Sequence, residues 1–170
     1  FQDLVVGAYN FDGPEVNEGK IDIYLGSPVG LSLTPAATIE GNQASAQFGF
    51  AVANAGDVNN DGFSDIIVGA PNYDNGETNE GRVYIYHGSA AGIIATPATI
   101  LESNQASAYY GGSVSGANDV NADGYDDVII GSRLYDNGQT NEGRAYFYLG
   151  SPSGIITTPN AILESNQTNA

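Results

Sequence analysis

The segment Asp57-Val-Asn-Asn-Asp-Gly-Phe-Ser-Asp65, followed at once by the apolar run Ile66-Ile-Val68, decides the fold of this chain. It returns as Asp119-Val-Asn-Ala-Asp-Gly-Tyr-Asp-Asp127, a shift of 62 residues, again followed by an apolar β-branched run. Oxygen-bearing side chains occupy positions 1, 3, 5 and 9 of both loops, and glycine follows position 5. A hard cation such as Ca²⁺ takes about six to eight oxygen ligands, and glycine permits the sharp turn that wraps them around the ion. The repeated spacing therefore predicts two calcium sites.

The expected ligands are the side chains at positions 1, 3, 5 and 9 and the main-chain carbonyl oxygen at position 7. In the first loop they are Asp57, Asn59, Asp61, Phe63 (backbone O) and Asp65; in the second loop they are Asp119, Asn121, Asp123, Tyr125 (backbone O) and Asp127. Mg²⁺ and Mn²⁺ are alternatives, although a flexible all-oxygen ligand set favours Ca²⁺. A second alternative is an Asp- and Asn-rich turn that binds no metal.

These loops are not EF-hands. An EF-hand loop requires an acidic ligand at position 12 and a helix on each side. Here position 12 is Val68 or Ile130, within short β-branched runs that favour strands. The last ligand of each loop is therefore also expected to be the first residue of a strand.

The 62-residue repeat extends over the whole chain. Three groups of segments align under it, namely Asn17-Glu-Gly-Lys20 with Asn79-Glu-Gly-Arg82 and Asn141-Glu-Gly-Arg144, Ile23-Tyr-Leu-Gly-Ser27 with its two copies, and the Thr-Pro pairs at Pro35, Pro97 and Pro159. This alignment divides the chain into an incomplete repeat over residues 1–46 and two full repeats over 47–108 and 109–170. The incomplete repeat lacks the first strand and most of the metal loop. Asp3 aligns with Asp65, and we do not expect it to bind calcium alone.

Each full repeat contains four expected strands and no convincing helical periodicity. In the first full repeat the strands are expected at residues 48–52, 65–69, 82–87 and 98–102. The second and third are apolar at successive positions, which is typical of sheets covered on both faces. Four short antiparallel strands per repeat, stacked sheet on sheet, form the blade of a β-propeller. The expected fold is therefore all-β, a partial propeller or a propeller completed by assembly.

The composition excludes several classes of partner. The net charge of −16 and the pI near 4.1 argue against nucleic acid and against an anionic membrane. The chain contains no cysteine, so neither disulfides nor thiol chemistry are available, and no membrane-inserting segment is recognised. Calcium could replace disulfides in an extracellular protein, since millimolar external calcium fills even weak sites.

Three further sets of residues are candidates for a role. Lys20, Arg82 and Arg144 share one repeat position, and we expect each to pair with a nearby carboxylate. Phe11, Tyr73 and Tyr135 could stack on sugars, although packing over a neighbouring blade is the favoured interpretation. His87, the one histidine, replaces leucine in the other repeats and is expected to be packed or exposed rather than catalytic.

These motifs resemble the FG-GAP repeat family, whose members include the integrin α-subunit propeller and many bacterial secreted proteins. Phe48-Gly49 is similar to the FG element, Gly69-Ala-Pro71 to the GAP element, and the acidic loop between them to the calcium loop of the family. Other copies depart from the pattern, with Tyr110-Gly111 for the first element and Gly7-Ala-Tyr9 or Gly131-Ser-Arg133 for the second. The long Tyr-Asp-Asn-Gly turns resemble the bacterial type.

The resemblance implies a calcium-binding, non-catalytic module, extracellular or on a bacterial cell surface, that serves adhesion, ligand binding or surface structure. Its partner would be an extracellular protein, a polysaccharide or another copy of the chain. Two alternatives are a self-assembling fibre subunit and a scaffold segment of a secreted glycan-active enzyme or lectin. The repetition of nearly every polar residue argues against catalysis, because an active site needs different groups in defined roles.

Overall fold

The computed structural model describes residues 2–169, and within this range the chain forms β-strands and no helix. Three antiparallel sheets, called blades 1, 2 and 3 below, follow one another along the chain. Blade 1 contains β1 (Leu4–Ala8), β2 (Lys20–Tyr24) and β5 (Ala37–Glu40), with a small hairpin of β3 (Gly26–Ser27) and β4 (Gly30–Leu31). Blade 2 contains β6 (Ala51–Gly56), β7 (Asp65–Ala70), β8 (Arg82–Tyr86) and β9 (Thr99–Glu102). Blade 3 contains β10 (Tyr110–Asn118), β11 (Asp127–Ser132), β12 (Arg144–Tyr148) and β13 (Ala161–Glu164).

The strands within each blade pair in chain order, as expected for a propeller blade. The all-β prediction with four-stranded antiparallel sheets is confirmed for blades 2 and 3. The expected first strand at 48–52 is displaced, because β6 begins at Ala51 and continues to Gly56. Gly49 has a φ of 80° and turns the chain before the strand can begin. A register shift follows between Asn54 and Gly56, and the last pair of β6 with β7, Gly56 with Asp65, lies on either side of the acidic loop.

Blade 2 is covered on both faces, which explains its continuous apolar runs. Alternate residues of a strand point to opposite faces of the sheet. Ile66 and Val68 pack toward blade 1 in one buried cluster, whereas Ile67 packs toward Val128 and Ile130 of blade 3 in another. Both faces of blade 2 are buried by neighbouring blades, so its inner strands carry apolar residues at successive positions.

Glycine pairs set the distance between successive blades. A Cβ atom at Gly69 would lie 2.0 Å from the carbonyl oxygen of Gly111 in the next blade. A Cβ atom at Gly7 would lie equally close, 2.0 Å, to the carbonyl oxygen of Gly49. Any side chain at these positions would push the backbones apart, so the repeated glycines are required by the contact between blades.

Glutamine side chains also join successive blades. The Gln43 amide nitrogen donates to the Asp74 carbonyl oxygen at 2.9 Å, and the Asp74 N–H donates back to Gln43 Oε1 at 2.7 Å. Gln105 makes the same two bonds with Asp136 at 2.8 and 2.7 Å. Each blade is thus joined to the next by a glutamine side chain that both donates to and accepts from the main chain of one residue, as a paired residue of a β-strand does.

The stack of three blades is open, not closed into a ring. Leu101 of β9 is 4% exposed because blade 3 covers it, whereas Leu163 at the same position of β13 is 62% exposed. These two leucines occupy the same place in the repeat and differ in whether the next blade is present. Substitution of each leucine therefore measures how much the contact between blades contributes to the free energy of unfolding.

We expect Leu101→Ala to lower the free energy of unfolding by about 2–4 kcal/mol, since it removes buried methyl groups and leaves a cavity. Leu163→Ala should change that free energy by less than about 1 kcal/mol, because the side chain is already in water. Urea unfolding of the two variants measures both values. Equal losses would contradict the assigned packing of blade 2 on blade 3.

Candidate metal centre

The two acidic loops connect the first and second strands of blades 2 and 3. In each loop the carboxylate at position 1 accepts main-chain N–H groups from across the turn. Asp57 Oδ1 accepts the Asp61 N–H at 3.0 Å, and Asp57 Oδ2 accepts the Gly62 N–H at 2.8 Å. Asp119 makes the two equivalent bonds at 3.0 and 2.8 Å. The same sequence therefore produces the same turn twice.

The carboxylate at position 9 is buried and anchors the loop to the strand. Asp65 is 0% exposed, with Oδ2 accepting the Val58 N–H at 2.9 Å and Oδ1 accepting the Gly88 N–H at 2.8 Å. Burial raises the pKa of the Asp65 carboxyl, and these two N–H groups oppose that change. Asp127 is equally buried and accepts the equivalent N–H groups of Val120 and Gly150, both at 2.9 Å.

The side chains at positions 3 and 5 lie beside one another. Asn59 donates its amide N–H to Asp61 Oδ2 at 2.9 Å, and Asn121 donates to Asp123 Oδ2 at 2.8 Å. The carbonyl oxygens of Phe63 and Tyr125 accept no hydrogen bond from residues 2–169. The expected ligands of each loop therefore lie on one turn, with the buried aspartate below it.

The structure does not bring three carboxylates together at a metal-binding separation anywhere within residues 2–169. In both loops the amide nitrogen of the asparagine, rather than its oxygen, faces the aspartate at position 5. The donor set nevertheless fits a hard cation, since it consists entirely of carboxylate, amide and main-chain oxygens. The ion pairs between side chains of residues 2–169 involve Lys20, Arg82 and Arg144, none of which contacts a loop. The six carboxylates among the expected ligands therefore form no ion pair with a basic side chain of residues 2–169.

The first loop is also part of the contact between blades 2 and 3. The Asp57 N–H donates to Asp126 Oδ2 at 2.8 Å, and the Asp126 N–H donates to the Asp57 carbonyl oxygen at 3.1 Å. Val58 is 0% exposed, whereas Val120 in the second loop is 62% exposed. The sequence analysis did not identify Asp126 as a functional residue. The difference that could have indicated it is that the equivalent position of the first loop is Ser64.

Asp3 lies beside a cleft between blades 1 and 2. Its Oδ1 accepts the Gly26 N–H at 2.8 Å, as Asp65 accepts the N–H of Gly88. The cleft has a volume of about 640 Å³ and is also lined by Leu4 and Phe63. The expectation that Asp3 alone binds no calcium stays a prediction.

The basic residues of the repeat pair with carboxylates, as expected. Arg82 pairs with Glu102 and Arg144 with Glu164, whereas Lys20 pairs with Asp22 at 2.9 Å. The candidate aromatic residues pack against these cations. The distance from cation to ring centre is 4.6 Å for Phe11, 3.7 Å for Tyr73 and 3.9 Å for Tyr135. Tyr73 and Tyr135 also pack against buried clusters that span two blades, and the expectation that the three aromatic residues pack over a neighbouring blade stays a prediction.

His87 and three buried glutamates are titratable groups outside the loop ligands. His87 is half-buried, with Nδ1 at 3.3 Å from the Asn59 amide nitrogen, so it is packed beside the first loop. Glu80 is fully buried at the Asn-Glu-Gly turn. Burial raises the pKa of its carboxyl, and the nearby negative charge of Glu102 raises this pKa further. Glu18 and Glu142 are buried at the same repeat position. The three glutamates belong to the Asn-Glu-Gly turns of separate blades.

Stacked four-stranded antiparallel sheets, each with an acidic loop between its first two strands, define a repeat protein of the β-propeller class. The FG-GAP repeat family model matches residues 48–86 and 110–148, which run from the first strand through the loop to the third strand. The chain belongs to the FG-GAP repeat family.

Integrin α subunits are homologous to this chain over most of its length. It is 37% identical to integrin alpha-V of Gallus gallus over 177 residues, which cover 99% of this chain and 16% of the relative. It is 30% identical to integrin alpha-5 of Xenopus laevis over 175 residues, with 98% and 16% covered. Integrin alpha-6 of Homo sapiens is 39% identical over 133 residues, with 78% and 11% covered. The chain thus spans 16% or less of the length of these relatives.

We expect Asp126→Ser, which introduces the residue of the first loop, to speed hydrogen exchange at the Asp57 amide by about tenfold. The substitution removes a charged acceptor, and such hydrogen bonds contribute roughly 1.5–3 kcal/mol when well formed. The Asp61 amide, which bonds within the loop, should exchange at an unchanged rate. Exchange measured by NMR tests both, and equal acceleration at the two amides would contradict a specific contact between blades.

Proposed function

We propose that this chain is a calcium-stabilised, non-catalytic module of an extracellular or cell-surface protein that binds a ligand in adhesion or surface structure. One observation carries the proposal. Two loops of the same conformation each carry three carboxylates at the expected ligand positions, and none of these pairs with a basic side chain of residues 2–169. Their mutual repulsion would be relieved by a divalent cation in each loop.

The proposed ligands are those that the sequence indicates. In the first loop Asp57, Asn59, Asp61, the Phe63 carbonyl and Asp65 would hold one ion; in the second Asp119, Asn121, Asp123, the Tyr125 carbonyl and Asp127 would hold the other. Bound calcium supplies positive charge that stabilises the loops, and we assign it no chemical step. The protein itself contributes the turn, which Asp57 organises through main-chain N–H groups, and the anchor, which Asp65 supplies.

Homology supports the extracellular setting. The FG-GAP repeats and the likeness to integrin α subunits favour an adhesion-type propeller that meets an extracellular protein or polysaccharide. Within residues 2–169 no helix is long and apolar enough to cross a membrane. The bacterial origin, suggested by the Tyr-Asp-Asn-Gly turns, and the division into residues 1–46, 47–108 and 109–170 are parts of the same proposal.

A second candidate is self-assembly into a surface fibre. The observation that favours it is the exposure of apolar residues on the outer blade faces, among them Leu4 at 46% and Leu163 at 62%. Such faces are aggregation-prone unless another blade covers them. Light scattering in calcium buffer separates the two candidates, because a stable monomer would exclude the fibre.

A calorimetric titration of metal-stripped protein should detect about two calcium ions per chain. If free calcium is about 100 times the dissociation constant, each site should stabilise the fold by about 2.7 kcal/mol. Melting with calcium and with a chelator should then differ by about 5–10 °C per site for a domain of this size. If the titration shows no heat of binding and the two melting curves are identical, the loops are turns that bind no metal.

Asp61→Ala should remove one binding event and leave the other, since each loop supplies its own ligands. Asp123→Ala should have the reciprocal effect, and Ser64→Ala, which changes a loop residue that is not a proposed ligand, should retain two events. The same titration measures all three variants. Two unaltered binding events in Asp61→Ala would refute the ligand assignment.

A further inference from the structure

Four side chains form a continuous surface strip across the three blades, called the aromatic row here. Tyr9 contacts Phe50 with ring centres 5.2 Å apart, and Phe50 contacts Tyr109 at 5.7 Å, both edge to face. The guanidinium of Arg133 lies 4.0 Å from the centre of the Tyr109 ring. The row therefore begins beside blade 1, passes blade 2 and ends on blade 3.

The aromatic row lies at the opposite end of the blades from the acidic loops. Phe50 immediately precedes β6, whereas Asp57 immediately follows it. A strand of six residues separates them, which corresponds to about 20 Å. Tyr9 likewise follows the end of β1, and Arg133 follows the end of β11. The row is therefore a site apart from the proposed calcium ligands.

The residues of the row break the 62-residue repeat. Tyr9 and Arg133 occupy the repeat position that holds Pro71 in blade 2. Phe50 stands where blade 3 has Gly112, and Tyr109 stands where blade 2 has Gln47. The glycine pairs and the glutamine contacts, which hold one blade on the next, do recur in the repeat. A cluster of non-recurring side chains at one place therefore points to a role other than folding.

Tyr109 is held in an unfavourable backbone conformation. Its φ is 59°, in the left-handed region, which bulky side chains rarely adopt. Its ring lies against Gly112, where any Cβ atom would come within 2.6 Å of the ring. Gln47, at the same repeat position in blade 2, has a φ of 58°, so this turn belongs to the repeat, and what is particular to Tyr109 is the aromatic ring that it places there.

The aromatic row is accessible and has polar neighbours. Tyr9 is 40% exposed and Phe50 is 36% exposed. Gln47 connects two other amides alongside them, donating to Asn10 Oδ1 at 3.5 Å and accepting from the Asn72 amide at 2.8 Å. Arg133 is exposed and makes no ion pair with residues 2–169, so its N–H groups are available to a ligand.

We propose that the aromatic row binds a neutral polysaccharide, which names a ligand class for the module proposed above and rests on that function. The C–H faces of sugar rings can pack on aromatic rings, while their hydroxyl groups bond to amides and to a guanidinium. A polyanion is disfavoured by the net charge of −16. A protein partner would need roughly 20–30 residues on each side, whereas the row is a narrow strip.

The test is affinity electrophoresis in gels that contain laminarin, hydroxyethyl cellulose or galactomannan, with calcium present. The natural chain should be retarded by at least one of these neutral polysaccharides. The triple variant Tyr9→Pro, Phe50→Gly and Tyr109→Gln should lose at least tenfold in affinity. Each substitution introduces the residue of another repeat, so the fold has a place for it. Leu33→Ala, which changes an apolar side chain that is 94% exposed and is not part of the row, should bind like the natural chain.

Three results would overturn the proposal: no retardation by any of the three polymers, equal retardation of the triple variant, or retardation only by the anionic control polygalacturonate. Capture by a purified extracellular protein with no polysaccharide retardation would also count against it. The calcium titration of the same preparation distinguishes a failure of the polysaccharide proposal from a failure of the proposed calcium sites. Two bound ions without polysaccharide retardation would reject the aromatic row alone and leave the proposed calcium sites in place.

Discussion

The close contact between successive sheets is the constraint on which the rest of the structure depends. Gly69 meets the Gly111 carbonyl and Gly7 meets the Gly49 carbonyl at distances that exclude any side chain. Because the backbones approach so closely, the apolar side chains on either side interlock and are buried on both faces of blade 2. The FG and GAP elements are therefore requirements of packing, and the loops between them are positioned as a consequence.

The acidic loops are connected to this packing as well as to their own blade. The first loop buries Val58 and bonds to Asp126 of the next blade, so its order and the contact between blades support each other. The second loop has the same internal hydrogen bonds, yet Val120 is exposed. Loop conformation is thus determined locally by the nine residues, whereas loop burial is determined by the neighbouring blade. A cation that orders the first loop would stabilise the stack and not the turn alone.

Much of the fold could be predicted because its signals are local and repeated. The acidic loops, the β-branched runs and the 62-residue shift indicate strands β7, β8 and β9 to within one or two residues. The start of β6 could not be predicted, since it depends on the positive φ of Gly49 and on its contact with Gly7 of the preceding blade. Asp126 was missed for the same reason, because its partner Asp57 lies 69 residues away in sequence. The metal ligands themselves stay a prediction from the sequence.

The repeat separates two kinds of residue by a physical criterion. Where a side chain that holds one blade on the next meets the same surroundings every 62 positions, the same residue satisfies each copy, as Gln43 and Gln105 do. Asp126 differs from Ser64 because the loop that it bonds, which begins at Asp57, has no complete counterpart before it in this chain. A side chain that contacts an external ligand has no such requirement, because a ligand spanning three blades presents different groups to each. The aromatic row is of the second kind, since Tyr109 presents a ring at the repeat position where Gln47 presents an amide on a turn of the same φ. In a propeller of near-identical blades, departures from the repeat are therefore the place to look for specificity.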